Sequence, residues 1–97
     1  MNMLGILVTS ENEHLLDMVC MRISNRIDQE IAARPGLVKI GPSQAPIAKI
    51  QDRYRKMIYL KSKDYGDLIA VKDLLEQDEE LAGEKIVSVS FDFSMKS

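Results

Sequence analysis

Between Lys49 and Lys63 six cationic side chains, Lys49, Arg53, Arg55, Lys56, Lys61 and Lys63, stand against one carboxylate, Asp52, and Tyr54 and Tyr59 are interleaved with them. These residue types suit a nucleic-acid backbone. Guanidinium groups fork onto phosphate oxygens, ammonium groups add point charge, and a phenol ring can stack on an unpaired base. In an extended segment Arg53, Arg55, Tyr59 and Lys61 would share one face in steps of roughly 6.6 Å, a spacing comparable to that of backbone phosphates. The same pattern also fits a solvated strand face, or one salt-bridged to the acidic segment that follows. From Asp64 to Glu84 the acids are Asp64, Asp67, Asp73, Glu76, Asp78, Glu79, Glu80 and Glu84, against Lys72 alone. The chain is therefore polarised along its length although its net charge is only −2.

The remaining reactive residues point to no catalytic chemistry. His14 is the one histidine, and no pattern supplies it with a nucleophile or a carboxylate partner, so it is expected at the surface. Cys20 is the one cysteine and lies beside an apolar helical stripe, which predicts a buried, inert thiol. Four Cys or His ligands for a structural zinc are not available, and no intrachain disulfide can form, which is compatible with a reducing, cytoplasmic setting. The acidic run Asp78 to Glu80 lacks the alternating ligands and central glycine of a calcium loop. Met18, Met21 and Met57 are expected to fill the core. No Walker phosphate loop, dinucleotide-binding glycine pattern or nucleophile elbow is present, so neither a cofactor nor catalysis is expected.

Length and composition frame these residues. Ninety-seven residues allow one domain with one core, spanning 1–97. Hydrophobic residues make up 45% and charged residues 29%, which excludes disorder, and the net charge excludes a uniformly basic coat protein. The longest apolar run, Met3 to Val8, is far too short to span a membrane. The first cation is Arg22, so a secretory leader is not expected.

The hydrophobic periodicity supplies the elements that must position the basic segment. Met3 to Thr9 alternates as a strand, with Leu4, Ile6 and Val8 on the core face. Ser10 and Glu13 fit a capping box opening a helix whose stripe is Leu16, Val19, Ile23, Ile27 and Ile31, and Arg34-Pro35-Gly36 ends it. Leu37 to Ile40 reads as a short strand broken by Gly41-Pro42, followed by a looping connection to about Lys49. Arg53 to Lys61 is a longer strand with Tyr54, Lys56, Ile58 and Leu60 facing the core. Ser62 or Asp64 caps a second helix with the stripe Leu68, Val71 and Leu75, expected to fray before Gly83 because its acidic end opposes the helix dipole. Ile86 to Phe93 is a fourth strand with Val87, Val89, Phe91 and Phe93 inward. The order β-α-β-β-α-β predicts an α+β two-layer sandwich of ferredoxin-like or ribosomal-protein-S10-like type, its two helices covering one face of an antiparallel sheet and leaving the other open. Acylphosphatases share this order, but the loop Thr9-Ser10-Glu11-Asn12 lacks the arginine their phosphate site needs. Strands that begin near Met3 and end near Phe93 fit a module of a longer protein or a minimal stand-alone domain.

One stretch resembles a known family. Gly41-Pro42, Ala45-Pro46-Ile47, Lys49, Arg53-Tyr54-Arg55 and the apolar strand ending in Lys61 look like the C-terminal domain of the primosomal protein N′ (PriA) family, the bacterial replication-restart helicases. The motif covers about a fifth of the chain, and the order of elements agrees over nearly all of it. Asp92 matches the family's closing strand, whereas Ser94 stands where the family has proline. The resemblance implies a cytoplasmic bacterial protein. It implies a non-catalytic module that helps a helicase recognise branched or forked DNA and single strands, and that contacts the helicase core domains and single-strand-binding protein. The family's ATPase motifs and zinc-binding cysteines are absent from this sequence. The DNA-binding residues expected are Lys49, Arg53, Tyr54, Arg55, Tyr59 and Lys61. The alternative is a protein-interaction module in which the basic face docks on the helicase core or on single-strand-binding protein. A small-molecule regulatory domain that dimerises is a third class.

Overall fold

Alternation of small and branched apolar residues with polar ones builds the sheet, and two amphipathic stripes build the layer that covers it. In a computed structural model, which describes residues 1–78 and 86–93, the order is β1 (Asn2–Ser10), α1 (Glu13–Ala33), β2 (Val38–Ile50), β3 (Arg53–Ser62), α2 (Tyr65–Glu76) and β4 (Val87–Asp92). The strands form one sheet in the order β2-β3-β1-β4, antiparallel at every pairing. This is the expected α+β two-layer sandwich of ferredoxin-like type. Leu4, Ile6 and Val8 of β1 and Ile58 and Leu60 of β3 are fully buried, and Leu16, Val19, Ile23 and Ile27 of α1 and Leu68, Val71 and Leu75 of α2 close on them. Val87 completes the core, with Val89, Phe91 and Phe93 packed at its margin.

Polar contacts lock the layers in register. Lys56 of β3 pairs with Asp17 of α1, and Lys39 of β2 reaches Asp28 and Ser24 of α1, both at 2.6 Å. Arg34, capping the C-terminus of α1, donates to Asp67 in the first turn of α2 at 2.9 Å, and the Ser62 hydroxyl donates to the other Asp67 oxygen at 3.0 Å. Arg22 grips Asp78 through two bonds of 3.1 Å, a bidentate pair that ties α1 to the chain leaving α2.

Several local expectations shift. The N-cap of α1 is Asn12, whose side chain accepts from the Leu15 N–H at 3.1 Å, while Ser10 stays in the strand and accepts from the Asn12 N–H. The cap moves because Ser10 is already committed to pairing with Tyr54 and Val87. Asp64 caps α2, and Ser62 supports it by accepting from the Asp64 N–H. The helix ends at Glu76; Gly83 and the acids Glu79, Glu80 and Glu84 lie outside the described residues. Met18 and Met21 are solvent-facing, because the buried stripe runs through Leu16, Val19, Cys20 and Ile23; Met57 is buried, but on the face of the sheet away from the helices and outside the core cluster. Strand β2 does not stop at Gly41. It continues to Ile50, with register shifts between Ile40 and Ser43 and between Gln44 and Lys49.

The second irregularity in β2 matters most for the open face. Five steps along β2, from Gln44 to Lys49, oppose only two along β3, from Lys56 to Tyr54, so the extra residues arch out of the ladder. Gly41, with φ of 93° and a cis peptide to Pro42, makes the first break, and the type I′-like pair Gln51 and Asp52, with φ of 51° and 65°, closes the hairpin into β3.

Candidate nucleic-acid interface

Strand parity decides which basic side chains can act together. On β3 the odd positions Arg53, Arg55, Met57, Tyr59 and Lys61 face away from the helices, and the even positions Tyr54, Lys56, Ile58 and Leu60 face the core side. The pairings carry that face across the sheet. Lys61 sits opposite Met3 and Val38, Tyr59 opposite Gly5 and Ile40, Met57 opposite Leu7 and Ser43, and Arg55 opposite Thr9. Next to β1 on its other side, Ser88, Ser90 and Asp92 of β4 stand beside Thr9, Leu7 and Gly5. Arg53, Arg55, Tyr59 and Lys61 thus form a row down the centre of the sheet face that neither helix covers.

Two of the row's cations are held in place by the fold. The Arg53 guanidinium turns across β1, where Nη2 donates to the Thr9 carbonyl at 3.2 Å, the Thr9 hydroxyl at 3.1 Å and the Ser88 hydroxyl at 3.4 Å. The Arg55 Nη1 donates to the Ile47 carbonyl on the β2 arch at 3.0 Å. A guanidinium has five N–H donors in a rigid fork, so one engaged nitrogen fixes its plane and leaves the others for an anion. Lys61 makes no such contact among the described residues.

Lys49 and Tyr54 are placed apart from that row. Tyr54 lies on the helix side, half-buried against the core, and the Lys49 ammonium sits 4.7 Å from the centre of its ring and 4.0 Å from Asp52. This cation–ring pair borders a small cleft on the α1 side of β2, shared with Glu13 and Leu16. Lys56, also on this side, is engaged by Asp17, whose hydrogen bond raises the lysine above its ordinary pKa. The basic segment is therefore divided: Lys56 braces the two layers, Lys49 packs on Tyr54 beside the hairpin, and Arg53, Arg55 and Lys61 are displayed.

The open face is not flat. The arch of β2 brings Pro46 over it, and a cavity of about 300 Å³ forms between Pro46, Arg55 and Tyr59 on one side and Ser90 and Asp92 on the other. Its floor is Gly5, Leu7 and Met57. Sequence reasoning found the cationic row through its period of two, but missed this cavity, which depends on the arch and on Gly5 lying between Tyr59 and Asp92. Val38 and Ile40 continue the face as exposed apolar residues towards the free edge of β2.

The described part of the acidic segment lies on the other layer. Asp67, Asp73 and Glu76 ride on α2, whose stripe is buried against the opposite side of the sheet, and Asp67 is engaged by Arg34 and Glu76 by Lys72. His14 is exposed, and Cys20 is buried, its thiol pushed up to about 11 by desolvation. Among the described residues no cluster of His, Cys, Asp and Glu could hold a metal ion, and no helix is long and apolar enough to cross a membrane.

Comparison with known proteins shows the fold. No family model matches this chain. No curated protein matches it either. Among solved structures it is similar to the de novo designed protein Foldit4, with a TM-score of 0.66 and 12% identity over 99% of this chain and 98% of that one. It is also similar to a hydantoinase/carbamoylase family amidase from Burkholderia ambifaria, with a TM-score of 0.60 and 15% identity. That match covers 99% of this chain but 27% of the amidase.

Proposed function

We propose that the chain is a non-catalytic DNA-binding module of a primosomal replication-restart helicase, helping to recognise branched or forked DNA. The observation that carries this reading is the row Arg53, Arg55, Tyr59 and Lys61 on the sheet face that neither helix covers, with the described acids of α2 on the opposite layer. That separation answers the objection raised by the acidic net charge, since a strand lying on the sheet meets the cations first. The contacts are to phosphate, so the module reads backbone and shape rather than sequence. Lys49 and Tyr54 extend the basic surface around the β2–β3 hairpin. The family motif Gly41-Pro42, Ala45-Pro46-Ile47 and Arg53-Tyr54-Arg55 supplies the helicase context, in which the module also meets the helicase core and single-strand-binding protein.

Fluorescence anisotropy with forked, single-stranded and duplex DNA across a salt series tests this. Three cations on phosphates predict a slope of log affinity against log salt of roughly −2 to −3. Substituting Arg53→Ala and Arg55→Ala together should remove most of the binding and flatten the slope. A folded protein that binds none of these DNAs at low salt would rule out autonomous DNA binding.

A second reading is favoured by Val38 and Ile40, exposed by 48% and 43% beside Tyr59 and Lys61. An apolar margin beside a basic row suits docking on an acidic protein surface, such as the helicase core or single-strand-binding protein. Competition between DNA and such a partner for the same face separates a shared site from two sites.

A further inference from the structure

We infer that the cavity under Pro46 is a seat for one unpaired nucleobase, flanked by the cationic row that holds the phosphates of the same strand. This rests on the DNA-binding reading and adds the substrate class: single-stranded nucleic acid, engaged through a base as well as through its backbone. The cavity sits where an extruded base of a strand lying along β3 would fall, because Arg53, Arg55 and Lys61 run along the same face on which it opens. Its volume of about 300 Å³ is far beyond a water-sized void and lies at the lower end of small-molecule sites.

The lining suits a flat heterocycle better than any other part of a nucleotide. Tyr59 supplies an aromatic wall and Leu7, Met57 and Pro46 an apolar surround, a combination that stacks on any base. The space exists because Gly5, directly opposite both Tyr59 and Asp92 in the ladder, puts no side chain between them. The Ser90 hydroxyl on the far wall can donate to, or accept from, the polar edge of a base. The aromatic and apolar lining thus takes a base, and the cationic row beside it takes the phosphates.

The test compares, by anisotropy with the whole chain, a short oligothymidine, the same strand with abasic sites in place of its bases, and a blunt duplex. The base-bearing strand should bind about tenfold more tightly than the abasic one. Tyr59→Ala, which removes the stacking wall, and Ser90→Ile, which fills the cavity from an exposed position, should each bring that ratio close to one; Tyr59→Phe should retain it. Equal binding of base-bearing and abasic strands by the unsubstituted chain overturns the base seat and leaves the phosphate row standing. Loss of binding to all three probes overturns both readings together. Should Ser90→Ile fail to fold, as judged by circular dichroism, the Tyr59 pair decides the question alone.

Discussion

Arg53 and Thr9 meet on the open sheet face, where one guanidinium nitrogen bonds both the carbonyl and the hydroxyl of Thr9, at 3.2 and 3.1 Å. The contact reaches diagonally across the β1–β3 ladder, since the direct cross-strand partner of Thr9 is Arg55. Arg53 is thereby a positioned cation, its plane set before any ligand arrives. Arg53→Lys keeps the charge but loses the planar fork. DNA affinity should fall by roughly two- to fivefold with the salt slope unchanged, whereas Arg53→Ala should lower the slope by about one. Paired salt titrations of the two variants check this.

Gly41 is where β2 turns out of its first register. Its φ of 93° is a conformation L-residues rarely adopt, and a Cβ there would lie 2.9 Å from the Met57 carbonyl and 3.0 Å from the Ser43 nitrogen. Both obstacles are backbone atoms. Gly41→Ala should cost about 1–3 kcal/mol, read as a lower urea midpoint with little change in m.

The β2–β3 hairpin carries Gln51 and Asp52 at two positive-φ positions for which asparagine and glycine are better suited. Asp52 is almost fully exposed, and its contact with Lys49 at 4.0 Å contributes little. Replacing Gln51→Asn together with Asp52→Gly should therefore raise stability, by about 1 kcal/mol, with DNA affinity unchanged. Thermal and urea unfolding of the double variant give the answer.

Cys20 provides an alkaline limit. Its folded pKa of about 11 stands above the ordinary value of 9.0 because burial disfavours the thiolate. The unfolded chain gives up this proton first. The thiol's contribution is complete below pH 9 and is lost as pH rises from about 9 to about 11. Stability should fall through that window, and less steeply in Cys20→Ala after allowing for its lower baseline. At pH 8 a thiol reagent should label the native protein only at the rate of opening, a rate that destabilising variants such as Gly41→Ala should increase.

Periodicity made most of the architecture legible. The alternation Leu4, Ile6, Val8 and the stripe Leu16, Val19, Ile23, Ile27 each have one solution for a buried face, so they revealed the layers and which β3 residues are displayed. What stayed hidden was non-local. Gly41-Pro42 and Pro46 read as breakers because edge-strand tolerance of such residues depends on what lies alongside, here β3 holding both halves of β2 in one ladder. Ser10 read as the helix cap because nothing nearby in sequence shows that Tyr54 and Val87 claim its backbone. Within the basic segment, no local signal separates Lys56, drawn to Asp17 some forty positions earlier, from Arg55, which is displayed.

The division of charge between the two layers has a consequence for encounter as well as for contact. On the helix side Glu13, Asp17, Asp28, Glu30, Asp67, Asp73 and Glu76 are offset in large part by Arg22, Arg26, Arg34, Lys39, Lys56 and Lys72, whereas Arg53, Arg55 and Lys61 stand against Asp92 on the other face. A molecule so divided has a dipole across its thin direction. In the field of a polyanion it experiences a torque that turns the sheet forward while still about a Debye length away, near 8–10 Å at physiological salt. Collisions then arrive already oriented, and a domain with no net attraction to DNA can still associate quickly.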